Sequence, residues 1–225
     1  MSATQSLLPY TAGLVFYAAL MPIAGFYIPR IGTRLTAAIG GIVVGLGYIL
    51  SSFATQVSTL VLTYGAIAGT GVGIAYGVPM VVASRWFPDK KGLAVGVTIV
   101  GFGLSPLITA PLANYLIEAY TVRPTLQILG IAFIVIILAV SLTMKLPPKD
   151  WQPPQRVAVS PSILAPTYPQ NLFRSRSFYG LWICYLIGTL VGLSAIGISS
   201  SVGEEIIAIN PTVAASSVSL FALFN

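Results

Sequence analysis

Six stretches of this sequence run for twenty residues or more with no charged side chain in their interior: Leu7–Ile28, Leu35–Ala54, Leu60–Ser84, Gly92–Glu118, Thr125–Met144 and Phe178–Val202. A helix of about 20 apolar residues crosses the ~30 Å hydrocarbon core of a bilayer while satisfying its own backbone groups. A seventh run begins near Thr212 and is still apolar at Asn225. No basic region precedes Leu7 and nothing after it reads as a cleavage site, so the first run is a span rather than a secretion signal. A soluble domain carries about a quarter charged residues, whereas here the share is 7%, against 56% hydrophobic. The fold class that follows is an all-α polytopic membrane protein with the lipid bilayer as its first partner.

The few charges are not scattered. Arg30 and Arg34 fall between the first and second runs, and Arg85, Lys90 and Lys91 between the third and fourth. Lys145, Lys149, Arg156, Arg174 and Arg176 follow the fifth run, within the proline-rich stretch Lys145–Ser177. These are alternate loops, so they share one face of the membrane. Arg123 alone among the eleven basic residues lies on the other face, near Glu118, Glu204 and Glu205. Basic residues accumulate in cytoplasmic loops, which places the multi-pass chain in the plasma (inner) membrane with its basic face inside. The same placement explains the net charge of +6 without a nucleic-acid partner.

That orientation puts Met1 outside, with nothing ahead of Leu7 to carry it across. A further helix is therefore expected upstream, and the unfinished run at Asn225 leads us to expect a continuation downstream. The chain then reads as the middle of a longer protein in three parts. Residues 1–145 form a helical bundle lacking its first helix, 146–177 a cytoplasmic linker, and 178–225 the truncated start of a second bundle.

Enzyme chemistry finds no footing. The chain has no histidine and one cysteine, Cys184, which reads as a small core residue. No nucleophile stands with a base, no carboxylates pair and no metal-ligating set occurs, so neither a catalytic role nor a metal or cofactor is expected.

Within the runs, packing signals dominate. Gly65, Gly69, Gly73 and Gly77 recur every four residues with Gly71 between them, the spacing that lets a neighbouring helix backbone approach closely. Gly69-Thr-Gly-Val-Gly73 lacks the strand, full spacing and downstream acid of a dinucleotide loop. Pro22, Pro79, Pro106 and Pro111 lie inside runs, where each lacks an N–H and frees a carbonyl one turn back. No Asp, Glu, Lys or Arg stands mid-run. The remaining polar and aromatic inventory is Tyr10, Tyr17, Tyr48, Tyr64, Tyr76, Phe102, Tyr115 and Tyr185, most of it read as packing or interface belt. Tyr76, beside the glycines and three residues before Pro79, is the candidate for a cavity.

Two stretches carry a resemblance. Gly25-Phe-Tyr-Ile-Pro-Arg-Ile-Gly-Thr-Arg34 resembles the loop signature of the major facilitator superfamily, which follows the second helix of that fold. Gly69-Thr-Gly-Val-Gly-Ile-Ala-Tyr-Gly77, Arg85-Trp-Phe-Pro-Asp-Lys-Lys-Gly-Leu-Ala94 and Gly101-Phe-Gly-Leu104 together resemble the fourth and fifth helices of its oxalate/formate antiporter family. The resemblance implies helices two to seven and the start of eight of a twelve-helix carrier. By it, Tyr76 takes the place of a tyrosine that touches carboxylate substrate in oxalate carriers. Phe102 stands where those carriers have a second tyrosine. The gating loop would be Gly25, Arg30, Gly32, Arg34, Arg85, Asp89 and Lys90, with Pro29 where the signature has an aspartate.

The expected function is secondary transport of small organic anions, mono- or dicarboxylates such as oxalate and formate, by alternating access. The alternatives are a non-transporting sensor or assembly partner on the same fold, or an inactive fragment. The topology is directly checkable. A reporter that is active only in the cytoplasm should be active when fused after Pro153 and silent after Val122.

Overall fold

The uncharged runs fold as helices whose ends fall within about a turn of the sequence boundaries. The structure, a computed structural model, describes residues 3–148, 151 and 174–205. The seventh run from Thr212, together with Lys149 and Arg156 of the basic stretch, lies outside the described residues. The helices are α1 (Ala3–Ile31), α2 (Thr33–Ser51), α3 (Val57–Leu60), α4 (Gly69–Trp86), α5 (Lys91–Tyr120), α6 (Val122–Ser141) and α7 (Arg176–Glu205), with a π-helical stretch, Val61–Ala68, joining α3 to α4. Five spans among the described residues are long and apolar enough to cross a membrane: Leu7–Ile31, Thr33–Ser51, Val57–Trp86, Lys91–Tyr120 and Val122–Ser141.

The chain divides into two compact units, Met1–Phe102 with Leu112–Pro153, and Gly103–Pro111 with Pro154–Asn225. The contacts described below belong to the first unit. In the second, Cys184 is exposed on α7 instead of sitting in a core, because the whole described face of that helix from Leu181 to Leu186 is open.

Within the first unit α4 is wedged between α1 and α2, and α2 in turn packs on α6. Glycine makes each approach possible. A methyl group on Gly69 would lie 2.7 Å from the Gly13 carbonyl oxygen of α1, and one on Gly73 would lie 2.8 Å from the Tyr17 carbonyl. On α4's other face, a methyl on Gly71 would lie 2.8 Å from the Gly40 carbonyl of α2. The α2–α6 seam repeats the device, since a methyl on Gly130 would meet the Gly45 carbonyl at 2.7 Å. Gly65, in the π-helical stretch, faces Ala12 and the Pro9 carbonyl, whereas Gly77 is looser, with only Ile28 Cδ1 at 4.0 Å. Lipid is as apolar as leucine and gives helices no hydrophobic reason to associate. Contact between bare backbones is what holds them.

The signature stretch that the sequence presented as a loop is almost wholly helical. Gly25–Ile31 completes α1 and Thr33 opens α2, so the connection is one residue, Gly32, at φ 91° and ψ 150°. Its N–H donates to the Ile28 carbonyl at 2.9 Å, and its carbonyl accepts from both the Thr36 N–H (3.1 Å) and the Thr36 hydroxyl (2.8 Å). The α5–α6 connection is the same device at the other end. Thr121, at φ 70° and ψ 174°, donates to Ile117 at 2.9 Å and accepts from the Thr125 N–H (3.4 Å) and hydroxyl (2.7 Å). Both turns share the run x-x-Arg-x-Thr: Gly32-Thr-Arg-Leu-Thr36 and Thr121-Val-Arg-Pro-Thr125. This backbone region is nearly reserved for glycine, and a β-branched residue there stores about 1–3 kcal/mol of strain.

A second tie closes the end opposite the basic one. Ser51 Oγ lies 2.7 Å from the Gly47 carbonyl and 3.0 Å from Thr63 Oγ1, whose hydroxyl donates to the Thr59 carbonyl at 2.9 Å. Gln127 Nε2 donates to Ser52 Oγ at 3.0 Å, tying α6 to the end of α2. α5 is different in kind, for Leu116 is its one buried side chain.

Two outcomes follow for thermal unfolding in detergent. Gly71→Ala should lower Tm, because overpacking of a tight contact costs about 1–3 kcal/mol, while Gly96→Ala, with nothing within 4 Å of the new methyl, should leave it unchanged or slightly raised. Thr121→Gly should raise Tm by relieving strain and Gly32→Ala should lower it. Equal and opposite-to-expected shifts at the two turns would mean that they are not the same device.

Candidate functional site

α1 and α4 run so close at Gly73 that the next turn of α4 brings Tyr76 against the side chain of Tyr17. Their rings meet edge to face, 5.3 Å between centroids at 89°. Phe102 of α5 meets the other side of Tyr76 in the same way, 5.2 Å at 80°. Three helices thus contribute one ring each to a continuous chain, Tyr17–Tyr76–Phe102. Tyr17 and Tyr76 are half-buried and Phe102 is 53% exposed, so the chain runs from the packed interior to an open surface. Edge-to-face pairs of this kind contribute about 0.5–1.5 kcal/mol each beyond area burial, enough to fix the ring of Tyr76 in one orientation.

The depth of this cluster is informative. Tyr76 stands ten residues before the end of α4 at Trp86, which at 1.5 Å per residue is about 15 Å, half of a ~30 Å hydrocarbon layer. A ring edge carries partial positive charge and a tyrosine hydroxyl is a donor. The cluster therefore offers an anion orientation and hydrogen bonding, with no formal charge.

The structure brings together the two residues expected to line a site, Tyr76 and Phe102, and adds Tyr17. Tyr17 had no distinguishing feature in the sequence, where it is one tyrosine among several. The missing signal is the tight approach at Gly73, a contact between helices that are remote in the chain. A second aromatic group, Tyr64, Tyr48 and Phe133, packs edge to face at 5.3 and 5.1 Å near the end opposite the basic one and serves the α2–α6 seam.

The remaining candidates gather at the basic end. Arg30, Arg34, Arg85 and Lys90 are exposed and Asp89 is half-buried. Gly32 makes the one-residue turn, and Gly25 is an exposed position inside α1 with open space around it. Gly69-Thr-Gly-Val-Gly73 lies inside α4, so its glycines are interhelical contacts and not a nucleotide-binding loop. Among the described residues no group of three or more His, Cys, Asp or Glu is placed to hold a metal ion.

Glycine-packed spans, charge confined to the ends and an aromatic cluster at mid-depth define a polytopic α-helical membrane bundle. The chain belongs to the Major Facilitator Superfamily, whose family profile matches residues 1–225. It is similar to the oxalate:formate antiporter of Oxalobacter formigenes, 28% identical over 197 residues, covering 88% of this chain and 46% of that protein. Monocarboxylate transporter 14 of Mus musculus is 38% identical over 109 residues, 48% of this chain and 21% of that protein. An uncharacterized MFS-type transporter of Escherichia coli is 26% identical over 205 residues, 90% of this chain and 50% of that protein. The relatives that match along most of the chain are thus about twice its length. They are transporters and not enzymes.

Proposed function

We propose that this chain is part of a secondary carrier for small organic anions, mono- or dicarboxylates, working by alternating access. The observation that carries the reading is the Tyr17–Tyr76–Phe102 ring chain at mid-depth, in a fold whose relatives include an oxalate:formate antiporter and a monocarboxylate transporter. In this reading Tyr76 donates its hydroxyl to a substrate carboxylate and Phe102 supplies a ring surface without a hydroxyl. No Asp, Glu, Lys or Arg stands mid-span, so in this reading the counter-charge comes from the rest of the complete protein. Intramembrane charges are costly and concentrate where a substrate needs them.

The glycine-packed α1–α4–α2 group would move as one body during the alternation, since close backbone seams leave no room for internal sliding. Arg30, Gly32, Arg34, Arg85, Asp89 and Lys90, with Gly25 just before the turn, would form the cytoplasmic gating face, with the protein in the plasma membrane.

The test is exchange of labelled oxalate or formate by the complete protein in liposomes. Tyr76→Phe should raise KM about tenfold, the weight of one hydrogen bond to a charged group. Phe102→Tyr, which restores a hydroxyl, should favour oxalate over formate. Anion-dependent flux that is absent, or indifferent to both substitutions, would sink the proposal. Oxalate binding without flux would instead support the sensor reading.

A further inference from the structure

At the basic end, the chain leaving α6 folds back against the bundle. After Ser141 it turns through three short hydrogen bonds, Thr143 N–H to Val140 (2.9 Å), Met144 N–H to Ser141 (3.1 Å) and Lys145 N–H to Thr143 (2.8 Å). The Met144 side chain then packs on the buried cluster of Ile28, Ala37 and Val78, which joins α1, α2 and α4. The Met144 carbonyl accepts the hydroxyl of Thr33, the first residue of α2, at 2.5 Å. Thr33 is 5% exposed and Met144 half-buried, so this bond is partly shielded from water. One residue on, the Lys145 carbonyl accepts the indole N–H of Trp86, the last residue of α4, at 2.7 Å. Trp151 finally returns to lay its ring against that of Trp86, 5.3 Å apart at 71°.

We infer that residues 144–148, together with Trp151, are a strap. They bind the α1–α2 turn to the end of α4 through neutral hydrogen bonds to main-chain carbonyls, and Trp86 is the positioning residue that sets where the strap is held. Both carbonyls lie past the end of α6 at Ser141, outside its hydrogen-bond ladder; Thr33 and Trp86 donate to them from two other helices. No charge takes part. Arg30, Arg34 and Arg85 stay exposed. The strap is also the only covalent path from α6 to α7.

This inference is independent of the substrate, and its test uses no transport assay. The complete protein in nanodiscs is treated with trypsin, and cleavage at Lys145–Leu146 is followed by mass spectrometry. A synthetic peptide of residues 143–151 gives the rate for the open chain. The wild-type bond should be cut far more slowly than the peptide, because cleavage tracks the open population. Trp86→Phe, which keeps a ring but loses the N–H, and Thr33→Val, which loses the hydroxyl at constant shape, should each speed it about tenfold. Arg85→Gln should leave it unchanged, as should raising the salt concentration, when rates are taken relative to the peptide. Should Trp86→Phe fail to give folded protein, Thr33→Val carries the test alone. Wild-type cleavage at the peptide's rate would overturn the strap, as would rates unmoved by both substitutions. Cleavage accelerated by Arg85→Gln or by salt would show an ionic latch in its place.

Discussion

Everything in this bundle depends on helix backbones coming into direct contact. In water, apolar faces are driven together and side-chain fit refines the result; in lipid that drive is absent and close packing must supply the association itself. Gly13 with Gly69, Gly40 with Gly71 and Gly45 with Gly130 are the places where it does so. Each pair removes the side chains that would otherwise hold the helices apart, which lets dispersion and Cα–H contacts act along a seam. Because α4 carries small residues on two faces, it is gripped from both sides. The position of Tyr76 is then a consequence of backbone packing.

The two ends of the bundle use polar chemistry for what the middle does with glycine. At one end, serine, threonine and glutamine side chains link α2, the π-helical stretch and α6; at the other, Thr33 and Trp86 hold the chain that follows α6. Every one of these partners is neutral. A charged pair at the bilayer boundary would be screened by salt and worth about 0–1 kcal/mol, whereas a neutral hydrogen bond contributes about 0.5–1.5 kcal/mol and does not weaken with salt. That difference decides why the basic residues can be left exposed, free to set orientation in the membrane.

The spans were legible in the sequence because hydrocarbon imposes a length and forbids charge, and both leave marks on every residue. The glycine seam on α4 was legible for the same reason, as a period of four. What escaped is what depends on partners far away in the chain. Tyr17 looks like any other tyrosine until Gly73 brings α4 against it. Gly25–Arg34 looks like a loop because it is rich in glycine, proline and arginine, yet a helix tolerates all of it up to Gly32, where a positive φ is required. Thr121 gave no sign at all: a β-branched residue is the last expected at such a φ, and only the matching x-x-Arg-x-Thr runs tie it to Gly32 after the fact. The π-helical stretch Val61–Ala68 is similar, since no local residue asks for it. It lies between the Ser51–Thr63 tie and the Gly47–Ala68 contact with α2, two registers that a regular helix would have to satisfy at once.

α5 stands apart from this economy of close contacts. It has the length and hydropathy of a span, yet one buried side chain, and at mid-depth its Phe102 ring meets Tyr76. The turn that joins it to α6 holds Thr121 in a strained conformation, so α5 combines a single buried side chain with a stressed pivot. Elements that move are drawn from the less stable parts of a structure, and strain at a pivot lowers the barrier to leaving one position without favouring a particular alternative. On the proposed reading this has a direct chemical consequence. The ring that completes the aromatic chain sits on a helix outside the glycine seams, so displacement of α5 would open the chain at Phe102 while the α1–α4 seam kept Tyr17 and Tyr76 together. The site would then be assembled from a fixed pair and a movable third ring, and its exposure would change without any rearrangement inside the glycine-packed core.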